Sequence, residues 1–280
     1  PFVGGAALLC WMLNEYGESF EGIIANDNNS DLIGMYRTVK TDVESLIGEL
    51  ERLQQGIRTA KEAGEYYLAR RQEFNDPKVT DPIVRASLLI FLNKTCYNGL
   101  YRVNKKGEFN VPFGKRSNVT IYDPMVLRMD SEAFKCVEFM CGDYSKATVS
   151  RHDRALYYFD PPYRPLTPTS SFTGYTQEAF GEAEQIRLAE HCRQLDEEGA
   201  DLMISNADTS EVNPTDDFYT RNFPSQSFRI NKVMAPRFVN ADSSKRGPIP
   251  EVLITNFPKY TAITMGCSPR AVDIKKMGVK

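Results

Sequence analysis

The chain has 280 residues, 41% of them hydrophobic and 25% charged, with a formal net charge of −3. These proportions fit a globular protein of one large domain or two small ones, and no apolar run approaches the ~18–20 residues of a membrane span. The slightly acidic total argues against a protein that is basic throughout, so any nucleic-acid contact has to rest on a local concentration of charge. Six cysteines (Cys10, Cys96, Cys136, Cys141, Cys192 and Cys267) form no CxxC pair. They read as free thiols, several of them buried, in a reducing cytoplasm. Two histidines, His152 and His191, argue against a zinc site or a histidine-based triad. The expectation is no metal. No secretory signal opens the chain, and its first five residues read as the interior of a domain.

Phe2-Val3-Gly4-Gly5 reads as the end of a strand entering a tight glycine turn, followed by an apolar helix over residues 6–16. Residues 21–27 form a second strand that ends in the polar pair Asn26-Asp27. Strand, glycine turn, helix and strand begin an α/β unit. Residues 41–74 are rich in Glu, Lys, Arg and Leu and lack proline, which predicts a helix; a second, over 82–95, buries Leu88, Leu89, Phe91 and Leu92. From Cys96 to Asn118 the helical pattern stops, and Asn98-Gly99 and Lys106-Gly107 signal turns, the second suited to a hairpin. Strands return at 137–140 and 155–159, a helix at 175–195, and strands at 201–206 and 251–257. Residues 204–250 carry little helix signal and include a loop at 241–250 rich in Ser, Lys and Gly. There is no internal repeat and no long low-complexity linker. The expected fold is α/β, a doubly wound sheet with a helical and hairpin insertion. Residues 1–35 and 119–260 would form the main domain, 36–118 the insertion and 261–280 a tail.

Open α/β sheets bind ligands beyond the carboxyl ends of their strands. Four such ends carry suggestive residues here. Phe2-Val3-Gly4-Gly5 permits close approach of the backbone. Asp27 suits ribose hydroxyls, with a helix cap as the plainer reading. Gly142-Asp143-Tyr144 presents a carboxylate for an amino group and a ring to stack. Asp160-Pro161-Pro162-Tyr163 follows the apolar strand Ala155-Leu156-Tyr157-Tyr158-Phe159. Its two prolines stiffen the backbone, so one carboxylate and one ring project from a rigid turn. Such a turn grips a planar exocyclic amine: Asp160 accepts one N–H, the Pro161 carbonyl the other, and Tyr163 stacks on the ring. An ordinary strand-end turn is the alternative.

Lys94, Arg102, Lys105, Lys106, Lys115 and Arg116 face a single acid, Glu108, within the segment from Lys94 to Arg116. Arg102 has the reach for a bidentate contact to guanine. Tyr97 suits intercalation, Asn98 suits pairing with an orphaned base, and Lys105, Lys106, Lys115 and Arg116 suit phosphates. A solvated charged hairpin is the alternative.

Together these segments resemble the Dam-type DNA adenine-N6 methyltransferases, close to the modification enzymes of GATC restriction systems. The likeness is carried by Pro1-Phe2-Val3-Gly4-Gly5, Asn26-Asp27, Asn98-Gly99-Leu100-Tyr101-Arg102, Gly107-Glu108-Phe109-Asn110-Val111-Pro112-Phe113-Gly114, Gly142-Asp143, Asp160-Pro161-Pro162-Tyr163, Ser170-Ser171-Phe172-Thr173 and Ser205-Asn206. The Asn98–Gly114 hairpin is its most specific part. The resemblance implies a Rossmann-like S-adenosylmethionine-dependent methyltransferase sheet with a DNA-recognition insertion. Phe2, Gly4 and Gly5 would line the S-adenosylmethionine pocket, Asp27 would bind its ribose, and Asp143 its adenine with Tyr144 alongside. Asp160 stands in both the cofactor-binding and the catalytic set, the latter with Pro161, Pro162 and Tyr163. Tyr97 and Asn98 would fill and cap the gap left by a flipped adenine, while Leu100, Arg102 and Pro112 would touch base edges.

The implied partner is duplex DNA containing GATC, read by a monomer in a bacterial or phage-encoded cytoplasmic setting. A cognate restriction endonuclease acting separately is one implied context, repair or regulation the other. The family also has a Lys-Trp-x-Gly-Gly-Lys-like segment before the first strand; this sequence begins after it, and residues 266–280 hold no counterpart. Two alternatives stand beside adenine methylation: a non-catalytic DNA-binding remnant, which the missing segment favours, and methylation of another exocyclic amine such as cytosine N4, against which the hairpin sequence argues. A dinucleotide-dependent dehydrogenase is disfavoured because GxGxxG is absent.

Overall fold

A computed structural model of the chain describes residues 1–115, 119–149, 155–165, 180–210, 212–236 and 248–257. Contacts divide these into two compact units, and Pro1–Phe2 belong with the second.

The first unit contains α1 (Ala7–Tyr16), β1 (Ile23–Asp27), α2 (Ser30–Thr41), α3 (Val43–Thr59), α4 (Ala63–Asn75), α5 (Pro82–Thr95), α6 (Pro124–Ala133) and β2 (Val137–Cys141). β1 and β2 pair in parallel, Ile23 opposite Val137 and Asp27 opposite Cys141. Four helices start on side-chain caps that take otherwise unpaired backbone N–H groups. Asn29 caps α2, Asp42 caps α3, Asp81 caps α5 and Asp123 caps α6, the last two followed by proline in the first turn.

The single helix expected over 41–74 is two, preceded by α2. Asp42 leaves the helical region to cap α3, and the chain breaks again at Ala60. The break lets α4 fold back on α3: a Cβ at Gly56 would overlap the Tyr66 phenol. Leu46, Leu50 and Leu53 of α3 and Tyr67 of α4 are fully buried with Leu88, Phe91 and Leu92 of α5. One uninterrupted helix would leave one of these faces in water. At the sheet, Tyr36 stacks on Phe139 with ring centroids 5.4 Å apart.

Phe2–Gly5 is not a strand. Val3 makes one ladder-like bond, its N–H to the Asn26 carbonyl at 2.9 Å. Phe2, Gly4 and Ala6 have φ of 60°, 49° and 57°. This alternation of left-handed residues is incompatible with an extended ladder.

The second unit contains β3 (Leu156–Phe159), α7 (Glu182–Glu197), β4 (Asp201–Ala207), α8 (Phe218–Asn222), β5 (Arg229–Pro236) and β6 (Pro248–Thr255). Its sheet has the order β3-β4-β6-β5. β3 runs parallel to β4, and β6 runs antiparallel to both β4 and β5. Leu188, Ala189, Cys192 and Leu195 of α7 are buried, as are Leu202 and Ile204 of β4. The sequence reading missed β5 and α8, and Pro248–Pro250, expected in a loop, begin β6. The expected helix start at 175, loop residues 241–247 and tail 261–280 lie outside the described residues. The architecture is α/β with a mixed sheet and helices. Among the described residues, no helix is long and apolar enough to cross a membrane.

Candidate functional site

The parallel register of β1 and β2 brings Asp27 and Gly142-Asp143 together at the carboxyl ends of the two strands. The Gly142 N–H donates to the Asp27 carbonyl, and the buried Asn26 side chain donates to the Gly142 carbonyl, each at 3.0 Å. The Asp27 carboxylate bridges two backbone donors, the Gly4 N–H on Oδ2 at 3.0 Å and the Asn29 N–H on Oδ1 at 2.9 Å. Tyr36 of α2 donates its hydroxyl to the Gly4 carbonyl at 2.7 Å. Both polar groups of Gly4 are therefore fixed.

Gly4 and Gly142 have φ of +49° and +141°, where glycine is favoured, and a Cβ on either would meet no atom within 4 Å. The result is an open-faced cradle of backbone and carboxylate oxygens. A carboxylate has about four lone-pair sites, so Asp27 keeps acceptor capacity beyond these two bonds. Asp143 takes the Ser145 N–H at 3.0 Å and the Ser145 hydroxyl at 2.5 Å, which fixes its rotamer. Gly5 is exposed, whereas Tyr144 is 4% exposed.

In the second unit, the register that sets Phe159 beside Ile204 places Asp160 next to Ser205. The Ser205 hydroxyl donates to Asp160 Oδ1 at 2.7 Å, and Tyr158 donates to Ser205 Oγ at 3.2 Å. Asp160 is exposed and Pro161 buried. The Tyr163 hydroxyl donates to Glu251 Oε2 of β6 at 3.2 Å. Burial, reinforced by the charges of Asp160 and Glu251, raises the Tyr163 phenol, so it stays a donor. Burial also raises the Glu251 carboxyl, with Asp160 adding to the shift and the Tyr163 bond opposing it.

Pro162 is held through its carbonyl by Gln185 Nε2 at 2.7 Å. The Arg164 guanidinium meets Asp216 at 2.7 Å and lies 4.0 Å over the Phe218 ring. Burial works against the charge on Asp216, but the hydrogen bonds from Thr209 and Arg164 outweigh it and lower the carboxyl. Phe2 joins this unit edge-on to Phe159, ring centroids 6.5 Å apart.

The basic segment is a hairpin lying on α4. Val103 bridges to Phe109 and Cys96 to Phe113, antiparallel in both cases. Phe109 and Val111 are each 1% exposed, while Pro112 between Val111 and Phe113 is exposed. This alternation follows the period of two of an extended chain. Its inner carbonyls are pinned by α4: Tyr67 and Arg71 donate to Val111 at 2.8 and 3.1 Å, and Asn75 to Phe109 at 3.0 Å. Outside, Tyr97 is 52% exposed and donates its N–H to the Pro112 carbonyl at 2.9 Å. Asn98 has φ of 56° and is exposed; Leu100 is half-buried.

Arg102 is exposed, its Nε bonded to Asn110 Oδ1 at 2.7 Å. Lys105, Lys106 and Lys115 are exposed, and Asn104 ties the tip through the N–H groups of Lys106 and Glu108. Arg116 and Ser170-Ser171-Phe172-Thr173 lie outside the described residues. Tyr36, Gln185 and Glu251 were not singled out from the sequence, and Asn110 and Tyr158 stood there only as members of a longer segment with no role of their own; each is a polar group in a locally ordinary context.

A family model described as D12 class N6 adenine-specific DNA methyltransferase matches residues 1–234. Among similar proteins, the Type II methyltransferase M.MjaIII of Methanocaldococcus jannaschii is 44% identical, covering 92% of this chain and 87% of its own length. Type II methyltransferase M1.LlaDCHI of Lactococcus lactis subsp. cremoris is 36% identical over 92% of this chain and 85% of its own. DNA adenine methylase of Escherichia coli K12 is 33% identical over 90% and 84%.

Proposed function

The chain belongs to the D12 class of N6 adenine-specific DNA methyltransferases, and from that we propose that it transfers a methyl group from S-adenosylmethionine to the flipped-out adenine of GATC in duplex DNA. The observation that carries the catalytic part is the Asp160–Ser205 pair at the head of a proline-stiffened turn.

The adenine amino nitrogen is a poor nucleophile because its lone pair is conjugated into the ring. Two acceptors, the Asp160 carboxylate and the Pro161 carbonyl, would take its two N–H bonds and favour a pyramidal nitrogen. Positive charge that grows on that nitrogen, as its new bond to carbon forms and the methyl–sulfur bond breaks, is stabilised by the same acceptors; one N–H proton then leaves by way of Asp160 to water, so the products are neutral N6-methyladenine and the thioether S-adenosylhomocysteine. Ser205 holds Asp160 Oδ1 and so orients the carboxylate; orientation, not strong basicity, is the task. Tyr163, with its hydroxyl tethered to Glu251, would stack on the base. An adenine inside a duplex is out of reach of such a turn, so base flipping is part of the reading.

The cradle fits a nucleoside-type donor: Gly4 and Gly142 leave open space against the backbone. Asp27 would take ribose hydroxyls and Asp143 the adenine, with Phe2, Gly5 and Tyr144 as further contacts. S-adenosylmethionine, when bound, supplies the electrophilic methyl group. Residues 36–118 would form the target-recognition insertion, with Arg102 on a guanine, Leu100 and Pro112 on base edges, Tyr97 and Asn98 at the vacated position, and Lys105, Lys106, Lys115 and Arg116 on phosphates. The proposed setting is a monomer acting on GATC, with a restriction nuclease acting separately.

The test uses radiolabelled S-adenosylmethionine with two duplexes, one containing a single GATC and one with that adenine already N6-methylated on both strands. Label on the unmodified duplex alone is the expected result, and Asp160→Ala should abolish it while leaving DNA binding intact. DNA binding with no transfer by the unaltered chain would favour a non-catalytic binding protein.

A further inference from the structure

Gln185 of α7 and Asn206 of β4 are 4% and 2% exposed. Their amides form a chain with one direction. Asn206 Oδ1 accepts the N–H groups of Arg164 and Ala207, both at 2.9 Å. Its Nδ2 therefore donates, and the acceptor is Gln185 Oε1 at 3.1 Å. That bond turns Gln185 Nε2 toward the Pro162 carbonyl at 2.7 Å. Backbone groups at both ends, N–H at one and C=O at the other, assign the orientation of both amides.

The chain begins at Arg164 and ends at Pro162, the two neighbours of Tyr163. Pro161 and Pro162 have no N–H to offer a ladder, so the turn lacks donors of its own for holding its place. Two apolar side chains would fill the same volume, but only a fully satisfied polar pair fixes a backbone to within hydrogen-bond tolerance.

We infer that Gln185 and Asn206 are positioning residues for methyl transfer, clamping Pro162 and Arg164 so that the amine-binding acceptors and the Tyr163 ring keep their geometry. This rests on the adenine-N6 reading above. Neither residue touches substrate; both act through the turn.

Three variants break the clamp differently. Gln185→Glu sets a carboxylate oxygen against the Pro162 carbonyl, and Gln185→Met removes the donor without adding charge. Asn206→Asp presents an acceptor to Gln185, whose amide turns over to donate to it and so abandons Pro162. The single-turnover rate of methyl transfer, at saturating S-adenosylmethionine and GATC duplex, should fall about ten- to a hundredfold in each. Dissociation constants for DNA and cofactor should not change. A merely structural role would lower Tm and the active fraction yet leave the rate of the folded fraction alone.

Unchanged rates in folded Gln185→Met and Asn206→Asp would overturn the inference. If the unaltered protein transfers no methyl group, it is the adenine reading that fails. Hydrogen exchange at the Tyr163 and Arg164 amides then decides the clamp: faster exchange in the variants supports it, and unchanged exchange overturns it.

Discussion

Ser205 and Asp160 stand side by side on the parallel strand ends of β4 and β3, joined by a 2.7 Å hydrogen bond from hydroxyl to carboxylate. The bond occupies Oδ1 and leaves Oδ2 directed by it. Ser205→Ala should therefore leave a charged but less constrained acceptor. Methyl transfer is expected to slow by about ten- to a hundred-and-fiftyfold, the equivalent of losing ~1.5–3 kcal/mol from a hydrogen bond to a charged group. DNA affinity should stay the same. A single-turnover assay equal to that of the unaltered chain would remove Ser205 from the site.

Asp27 has two tasks, tying Gly4 to Asn29 and presenting oxygen to a ligand. Asp27→Ala should weaken S-adenosylmethionine binding by at least about tenfold and lower stability by ~1–3 kcal/mol through two backbone donors left without their partner. Calorimetric titration with the cofactor checks the first part and urea unfolding the second. Lost stability with undiminished cofactor affinity would mark Asp27 as a purely structural bridge.

Much of this was legible locally. Asp81-Pro82 and the apolar run behind it announce α5 to the residue, and the polar residues after each apolar run mark the strand ends. The lost opening strand was not legible, because Phe2 and Ala6 take left-handed conformations with no glycine to signal them. Nor was the division of the 41–74 helix, which depends on Tyr66 closing over Gly56 from the next helix. Among the described residues β5 pairs with β6 alone, and its first half carries Arg229, Asn231 and Lys232. The Gln185–Asn206 clamp joins residues on different elements, and no periodicity in either element reports it.

Arg102 lies outside the buried face of the hairpin with its Nε on Asn110 Oδ1 at 2.7 Å and its Nη2 on the Asn110 carbonyl at 3.4 Å, which leaves Nη1 and the second Nη2 hydrogen for a base edge. Arg102→Ala should relax preference at one guanine by ~1–3 kcal/mol, the worth of a bidentate contact. Competition binding with duplexes substituted at each position of GATC is the check. A uniform loss across all of them would assign Arg102 to a phosphate.

Gly114 closes the hairpin against the end of α5, its N–H bonded to the Thr95 carbonyl at 2.9 Å. A Cβ there would stand 2.6 Å from the Cys96 carbonyl oxygen and 3.0 Å from that of Thr95, both rigid backbone atoms. Gly114→Ala should displace the hairpin from its seat. DNA affinity and Tm are expected to fall while cofactor affinity holds. Unaltered DNA affinity in the folded variant would show that the hairpin tolerates the shift.

Asp130 of α6 is raised by burial to about 6, and it faces Cys10 of α1, whose thiol burial and the Asp130 charge together push up to about 11. Burial raises the nearby Tyr36 phenol as well, with smaller contributions from Cys10, Asp27 and Asp130. In the unfolded chain an aspartate titrates near about 4. The folded value is the higher one, so the stability tied to Asp130 is fully present below about pH 4 and is lost as the pH rises through about 6. Asp130→Asn keeps the shape and removes the charge. Its Tm advantage over the unaltered chain should therefore be largest at pH 8, shrink through pH 6 and reach its minimum in acid, which thermal melts across that range will measure. A Tm difference independent of pH would mean that Asp130 is hydrated well enough to ionise without cost to the fold.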